Sequence, residues 1–276
     1  RQRQMCIRDR YFRALPVENG GEVKGWKENL NLAISTFTEA LKFTSDTDET
    51  AFINTLIARA YYRLGDKVNA VKYASNVLTL STDFTKQVTF DGENNVISSI
   101  QGYIYGTNFQ PLPRLDFLDP KYFQTKAKEA RPICIAKAEE PYLILAEAAL
   151  ADNDVNGAKG FLKTLLTLVS NRPVATDIND QLEGRYNGGY KEYPNSSEYR
   201  VAASSEDEFR SGLVLDRQSP HLISVPYISG TSVTEEMIDA PTTVDGLLEV
   251  LYLMRQEIFM ACLLYTSPSP RDSTSS

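Results

Sequence analysis

The sequence predicts a mainly α-helical fold in which helix pairs carry long ordered loops and a few short strands. Two separate stretches show apolar residues at helical spacing on both sides of a short turn, and a further amphipathic stretch lies near each end. The segments between them contain Gly, Pro, Ser and Asn throughout. A chain of this length can bury one large core or two smaller ones.

We expect the two ends of the chain not to belong to this fold. Residues 1–10 (RQRQMCIRDR) and 262–276 (CLLYTSPSPRDSTSS) read like translated sequencing adapters, and such scars are excluded from fold reasoning. The remaining residues 11–261 are then expected to be a fragment of a longer gene. The alternative is a natural basic leader and a Ser/Pro tail.

The charge balance excludes some classes of partner. The whole chain has 29 Lys and Arg and 36 Asp and Glu residues, for a net charge of −7. Without the two ends these counts become 24 and 34, and the net charge becomes −10. An acidic chain does not suit a nucleic-acid backbone or an anionic membrane surface, so we expect no nucleic-acid partner. No apolar run reaches membrane-spanning length.

The first predicted helix covers 26–43, and the last covers 243–260. The apolar face of the first consists of Leu30, Ala33, Ile34, Phe37 and Leu41. That of the last consists of Leu247, Leu251, Met254 and Ile258. The acidic stretch 44–50 (TSDTDET) is interpreted as a turn with an N-cap, because its spacing lacks the Gly that a calcium loop requires.

The first predicted helix pair covers 50–64 and 67–80. Its connection, Gly65-Asp66, supplies a helix stop followed by a helix cap. The second pair, 139–151 and 155–169, repeats this layout around Asp152-Asn153-Asp154.

The two pairs match at a shift of 88 residues, which places Ala58 on Ala146 and Ala70 on Ala158. Small residues that face each other let two helices approach closely, so we expect each alanine of the first helix to face that of the second. This is the spacing of tetratricopeptide helix pairs. The alternative is a coincidental similarity between two helical hairpins.

Two loop-rich regions separate the predicted helices. The first, 81–136, contains β-like pieces at 86–90 and 95–105, and its Cys134 lies in the apolar run PICIA, which favours a small buried side chain over a reactive thiol. The second, 171–242, contains enough aromatic and apolar residues to favour order over disorder.

Two helical segments resemble the SusD/RagB family. The segment KAEEPYLILAEAALADNDVNGAKGFLKTLL is similar to the family's signature helix pair, and LLEVLYLMRQEIFM is similar to its later helix. The matching positions of the first segment are Glu139, Glu140, Tyr142, Leu143, Ala146, Glu147 and Ala148. Those of the second are Arg255, Glu257, Ile258 and Phe259.

The resemblance implies a surface-exposed lipoprotein of the outer membrane, anchored through a lipidated amino-terminal Cys outside this chain. Members of the family sit on a TonB-dependent transporter of the SusC type and capture nutrients, commonly glycans. Their tetratricopeptide-like units form the scaffold, and their loops form the ligand site. The family is not enzymatic, so the resemblance implies no catalytic residue, no metal and no cofactor.

Catalytic patterns are weak in the sequence itself. The single histidine, His221, lies in SPHLIS, which lacks a nucleophile-elbow pattern, and zinc motifs that need two histidines are excluded. No carboxylate pair stands out for glycoside hydrolysis, although composition alone leaves that possibility open. We interpret Glu139 and Glu140 as helix-start residues that favour the positive end of the dipole, and we expect Glu147 to have a structural partner or a solvated face.

Aromatic residues in the loops are the candidate ligand-binding residues, because tyrosine offers a flat apolar face and a hydroxyl to a sugar ring. The same residues are also typical of aromatics that pin a long loop to a scaffold. The candidates are Tyr186, Tyr190, Tyr193, Tyr103, Tyr105 and Trp26. For Trp26, at a helix start, a place in the core or at an interface is the favoured alternative.

Three functions are therefore compatible with the sequence. The leading hypothesis is a nutrient-binding lipoprotein of the outer membrane that passes its ligand to a transporter. The second is an intracellular tetratricopeptide-type adapter, which predicts tandem repeats about 34 residues apart. The third is a carbohydrate-active enzyme.

Overall fold

The computed structural model describes residues 15–16, 20–89, 132–179 and 222–259, and within them the fold is mainly helical, as the sequence predicts. The helices are α1 (Trp26–Ala40), α2 (Thr47–Leu64), α3 (Lys67–Leu80), α4 (Glu139–Ala151), α5 (Val155–Ser170), α6 (Glu235–Asp239) and α7 (Val244–Phe259). The strands are β1 (Leu15–Pro16), β2 (Val23–Lys24), β3 (Thr85–Val88), β4 (Ile133–Lys137), β5 (Val174–Asn179) and β6 (Leu222–Pro226).

The chain forms two compact units. Among the described residues, the first unit contains 15–16, 20–86 and 136–161, and the second contains 87–89, 132–135, 162–179 and 222–259. Residues 1–10 and 262–276, with the adapter-like sequences, lie outside the described residues.

The core of the first unit lies where α1, α2, α3 and α4 pack in sequence order. One apolar cluster joins α1 to α2 through Ile34, Ile53, Ile57 and Ala60. A second joins α2, α3 and α4 through Ala58, Ala70, Ala74, Ile144 and Leu145. Tyr61 and Tyr73 pack against both clusters, and their rings stack with centroids 5.6 Å apart.

The expected alanine contact is confirmed in the first helix pair, because Ala58 and Ala70 belong to one cluster and are almost fully buried. In the second pair, Ala146 and Ala158 are both completely buried. Phe161 of α5 packs on the same cluster as Ile144 of α4. Without bulky side chains at these positions, the larger neighbours can interlock around them.

The turns inside the two helix pairs have the same hydrogen-bonding pattern at the 88-residue shift. In the first, Asp66 N donates to Tyr61 O at 3.0 Å, and Gly65 has a left-handed backbone with φ of 77°. In the second, Asp154 N donates to Ala149 O at 2.9 Å, and Asn153 has φ of 59°. Both are Schellman turns, in which a residue with a left-handed backbone closes the helix end. In the second turn this residue is Asn153, which adopts the left-handed conformation at a modest cost in free energy.

The residue after each left-handed position caps the next helix. Asp66 Oδ1 accepts a hydrogen bond from Asn69 N at 3.0 Å, and Asp154 Oδ1 accepts one from Gly157 N at 2.8 Å. These side chains satisfy amide groups that have no partner within the first turn of a helix. The predicted repeat of helix stop and helix cap is therefore confirmed at the level of individual hydrogen bonds.

The acidic stretch 44–50 also contains the expected cap. Asp46 Oδ1 accepts a hydrogen bond from Glu49 N at 2.7 Å, and α2 begins at Thr47. The helix therefore starts three residues before the predicted position 50, because the cap fixes its first turn before the apolar periodicity begins.

The described strands form three two-stranded sheets, β1–β2, β3–β4 and β5–β6. The predicted piece at 86–90 corresponds to β3, whereas the piece at 95–105 lies outside the described residues. Cys134 lies in β4 and is buried, as predicted. Strands β5 and β6 are antiparallel, and β5 has one residue more than β6 between the pairs Ala175–Val225 and Ile178–Ile223. At this irregularity, Asp177 has a φ of 59°.

The amphipathic character predicted for 243–260 is confirmed in α7. Its four predicted core residues are all completely buried: Leu247, Leu251, Met254 and Ile258. On α1, Ile34 is buried, and the other predicted face residues are partly buried. Helical periodicity therefore identified the inner faces of both helices correctly.

Candidate functional site

Five of the six candidate ligand residues are loop tyrosines. Tyr186, Tyr190 and Tyr193 lie outside the described residues, as do Tyr103 and Tyr105. The same holds for His221. Ligand binding by these tyrosines therefore stays a prediction.

Trp26 is the one candidate ligand residue within the described ranges. It is the first residue of α1 and is 38% exposed, so a place in the core is wrong. Lys27 Nζ lies 5.5 Å from the centre of its ring.

The best-defined polar contact in the first unit joins the two helix pairs. Arg59 of α2 donates from Nε to Glu140 Oε1 at 2.8 Å and from Nη2 to Glu140 Oε2 at 2.7 Å. The side chain of Glu140 is 6% exposed and that of Arg59 is 19% exposed. A bidentate guanidinium–carboxylate pair in such a place fixes the relative rotation of both side chains as well as their distance.

Two further contacts join the two helix pairs. One is between α2 and α4, and the other is between the first residue of α3 and the residue that follows α4. Tyr62 Oη donates to Glu147 Oε2 at 2.8 Å, and Lys67 forms an ion pair with Asp152. Residue numbers increase together on both sides, so α2 and α4 run in the same direction. The three contacts set the register of the second pair on the first.

Other ionisable groups at the end of β4 and the start of α4 are buried. Lys137 and Glu139 are fully buried, and Tyr142 is 7% exposed. Burial raises the pKa of Tyr142, with smaller contributions from the negative charges of Asp83 and Glu139. The start of α4 is thus a polar but solvent-excluded part of the core.

In the second unit, Glu257 of α7 holds the segment that precedes α6. Its Oε2 accepts hydrogen bonds from Thr231 Oγ1 at 2.8 Å and from Ser232 N at 2.7 Å, and its Oε1 accepts one from Ser232 Oγ at 2.6 Å. Glu257 is 5% exposed. On the same helix, the guanidinium of Arg255 lies 5.7 Å from the ring centre of Tyr252.

These contacts explain the acidic residues of the two signature-like segments. Glu139 and Glu140 start α4 as expected, and Glu147 has the structural partner that was one of its two expected outcomes. A carboxylate whose oxygens accept such hydrogen bonds acts as a packing group. Within the described ranges, no three His, Cys, Asp or Glu side chains come together as a metal-binding group.

Sequence reasoning missed the partners of these carboxylates. Arg59 directly follows Ala58, which places it at the edge of the buried face of α2, and a charge in such a place needs a partner. That signal was present in the sequence, but the partner's identity was not, because Arg59 and Glu140 are 81 residues apart. The sequence around Ser232 contains no comparable indication of a buried polar contact.

None of the described helices has the length and apolar character needed to cross a lipid bilayer. Comparisons of the chain with protein-family models, with curated proteins and with solved structures find no match.

Proposed function

We propose that this chain is part of a nutrient-binding lipoprotein of the outer membrane that resembles the SusD/RagB family. In this proposal the protein captures a glycan at the cell surface and delivers it to a TonB-dependent transporter of the SusC type. It binds and releases its ligand without chemical change, and it needs no cofactor. A lipidated amino-terminal Cys anchors the protein to the membrane in this proposal.

The main support is the role of the acidic residues in the signature-like segments. Glu140 and Glu147 connect the second helix pair to the first, and Glu257 connects α7 to the segment before α6. A similarity confined to apolar residues would suit any helical hairpin. Here the polar residues of the similarity carry specific long-range contacts, which favours a common framework over a coincidence of hydrophobic pattern.

The proposal assigns ligand capture to residues outside that framework. Tyr186, Tyr190 and Tyr193 are the leading candidates because they are concentrated in one Gly- and Asn-rich stretch. Tyrosine rings stack on the apolar face of a sugar, and their hydroxyl groups bind its polar edge. Tyr103, Tyr105 and Trp26 are the second group of candidates.

The direct test is glycan binding by the purified chain. Oligosaccharides derived from starch, xylan and mannan are titrated calorimetrically into the wild type and into a Tyr186→Ala/Tyr190→Ala/Tyr193→Ala variant. We expect one glycan class to bind and the triple variant to lose at least tenfold in affinity. Tyr227→Ala, which removes an exposed tyrosine from the second unit, is the matched control and should bind normally.

Two results would count against the proposal. Wild-type protein that binds none of these glycans would remove the support for glycan capture, and equal affinity of a folded triple variant would remove the tyrosine site. The gene's upstream DNA provides an independent check, since a signal peptide that ends in a lipidated Cys is expected there. Recovery of a TonB-dependent transporter with the full-length protein, extracted from its native membrane, would support the partner.

A further inference from the structure

The segment Ser229–Asp239, which we call the strap, joins β6 to the helical end of the second unit. Three of its side chains are almost completely buried: Ser229, Val233 and Ile238. Its last five residues form α6, and Thr234 Oγ1 caps that helix by accepting from Met237 N at 3.3 Å. The strap is thus packed into the unit along its length.

Glu257 of α7 binds the strap near its first residues, at Thr231 and Ser232. One carboxylate accepts three hydrogen bonds there, two from hydroxyl groups and one from the Ser232 backbone. The backbone bond matters most for placement, because it holds the main chain of the strap independently of side-chain rotation. Hydrogen bonds to an ionised acceptor are shorter and stronger than those between neutral groups.

Lys163 of α5 fixes the far end of the strap. Its ammonium group lies 2.9 Å from Glu235 Oε1 and 2.8 Å from Asp239 Oδ2, so it spans both ends of α6. Hydrogen bonds to Asp239 and Glu235 raise the pKa of Lys163. These groups are exposed, so water screens them and the contact is weaker than that of Glu257.

At its other end, the strap is joined to β6 by Tyr227 and Ile228. Beyond that strand, Tyr227 N donates to Pro173 O at 3.1 Å, which extends the pairing of β6 with the chain that leads into β5. In the sequence, residues 180–221 connect β5 to β6 and include Tyr186, Tyr190 and Tyr193. Any displacement of the strap therefore acts on one of the two strands from which this connection starts.

We propose that Glu257 is a positioning residue: through the strap it holds β6 on β5, and thereby fixes the two ends of the connection 180–221. The importance of this role for nutrient capture rests on the proposed function. The positioning itself does not, because it concerns the chain and not the ligand. Glu257 touches no ligand in this proposal and acts on the strap through Thr231 and Ser232.

The test compares Glu257→Gln with Glu249→Gln in the full chain. Gln keeps the shape of Glu but loses its charge and one acceptor oxygen, and Glu249 is an exposed carboxylate about two turns earlier on α7. Hydrogen–deuterium exchange is followed in peptides that cover the strap, β6 and α3. We expect Glu257→Gln to raise exchange at least tenfold in the strap and β6, with no change in α3 and no change anywhere in Glu249→Gln.

A milder variant keeps the test valid if Glu257→Gln unfolds the chain. Ser232→Ala removes only the hydroxyl donor to Glu257 Oε1 and leaves the backbone and Thr231 bonds in place. It should raise exchange in the same peptides by a smaller factor. Unchanged strap exchange in both folded variants would overturn the proposal, and so would faster exchange confined to the strap with β6 unaffected.

Glycan titration separates this inference from the proposed function. If the wild type binds an oligosaccharide, Glu257→Gln should weaken that binding at least fivefold. The affinity is measured well below the unfolding temperature of the variant. A residue with a purely structural role would lower the unfolding temperature and leave the affinity unchanged. Equal affinity despite faster exchange would overturn a role in capture. If the wild type binds none of the three glycan classes, the proposed function fails, while the exchange result still decides the positioning of β6.

Discussion

Glu140 accepts hydrogen bonds from Arg59 through both of its carboxylate oxygens, at 2.8 and 2.7 Å, although the two residues are 81 positions apart. One residue begins the second helix pair and the other lies within the first. The pair is mostly removed from solvent, so loss of either partner leaves a charge that water cannot fully stabilise. This contact fixes the distance and orientation between α2 and α4 at one point of their interface.

We expect Arg59→Met to lower the free energy of unfolding by about 3 kcal/mol, because it leaves the Glu140 carboxylate buried without its ionic partner. Urea denaturation followed by circular dichroism measures this change. The double variant Arg59→Met/Glu140→Gln should be less destabilised than the sum of the two single variants, because the second change removes the stranded charge. Strict additivity would show that the two side chains do not interact in solution.

Close approach of α2 and α3 at their alanines leads to a second prediction. Ala70→Leu should destabilise the chain by about 1–3 kcal/mol, because Ala70 is buried beside Ala58 and the added carbons have no free space. Val68→Leu, two residues away and 75% exposed, should change stability by less than about 0.5 kcal/mol. Equal urea midpoints for the two variants would mean that the alanines do not form the helix crossing.

The helical part of this fold could be predicted because its signals are local. Periodicity gives the buried faces, and Gly65 and Asp66 give a stop and a cap within two residues. Strands β5 and β6 escaped prediction because their pairing joins residues that are far apart in the sequence, which leaves no short-range pattern. The five-residue α6 escaped because it is shorter than two helical turns and depends on Thr234 and Lys163 for its position.

The candidate site was less predictable than the fold. The acidic residues of the signature-like segments could be identified from the sequence. Their partners could not, because these depend on how the helices pack, and no fixed number of residues separates two side chains that meet through packing. For Trp26 the sequence left a place in the core, an interface or a ligand site open, because hydrophobic character alone does not decide between them; its exposure excludes the core.

The left-handed turn of the first pair gives a third prediction. Gly65→Ala should cost about 1–2 kcal/mol, since a side chain at φ of 77° strains the backbone even though its Cβ would meet no atom within 4 Å. Gly160→Ala is the matched control: its Cβ also meets nothing within 4 Å, but it lies inside α5. That variant should gain about 0.5–1 kcal/mol, because alanine is the better helix former. Thermal denaturation of both variants should therefore shift in opposite directions, and a shift in the same direction would contradict the left-handed turn.

Asp66 leads to a prediction about acid. Its pKa lies below the usual 3.8, first because the Asn69 side chain donates to it and then because the Asn69 backbone does. A depressed pKa stabilises the folded state at pH values above the unfolded pKa, and this stability is lost as the pH falls through the folded pKa. NMR titration of the carboxyl group should show a midpoint below 3.8 that moves upward in Asn69→Ala.

Stability measurements provide the control for that titration. Asp66→Asn retains a capping side chain but cannot titrate, so the difference in urea midpoint between wild type and this variant should shrink as the pH is lowered below about 4. A difference that stays constant between neutral and acidic pH would show that Asp66 does not contribute through its charge.

The helix pairs are joined by side chains that meet in space, while the polypeptide between Leu80 and Glu139 contributes none of the three polar contacts. In general, doubling the number of residues in a loop costs only about 0.6 kcal/mol of closure free energy. The number of residues between β3 and β4 can therefore change while the pairs keep their alignment. The strands themselves belong to the packed part of the chain, since Ala136 and Lys137 of β4 are buried. With this arrangement, the length of one segment can vary during evolution without a change in how the helix pairs fold.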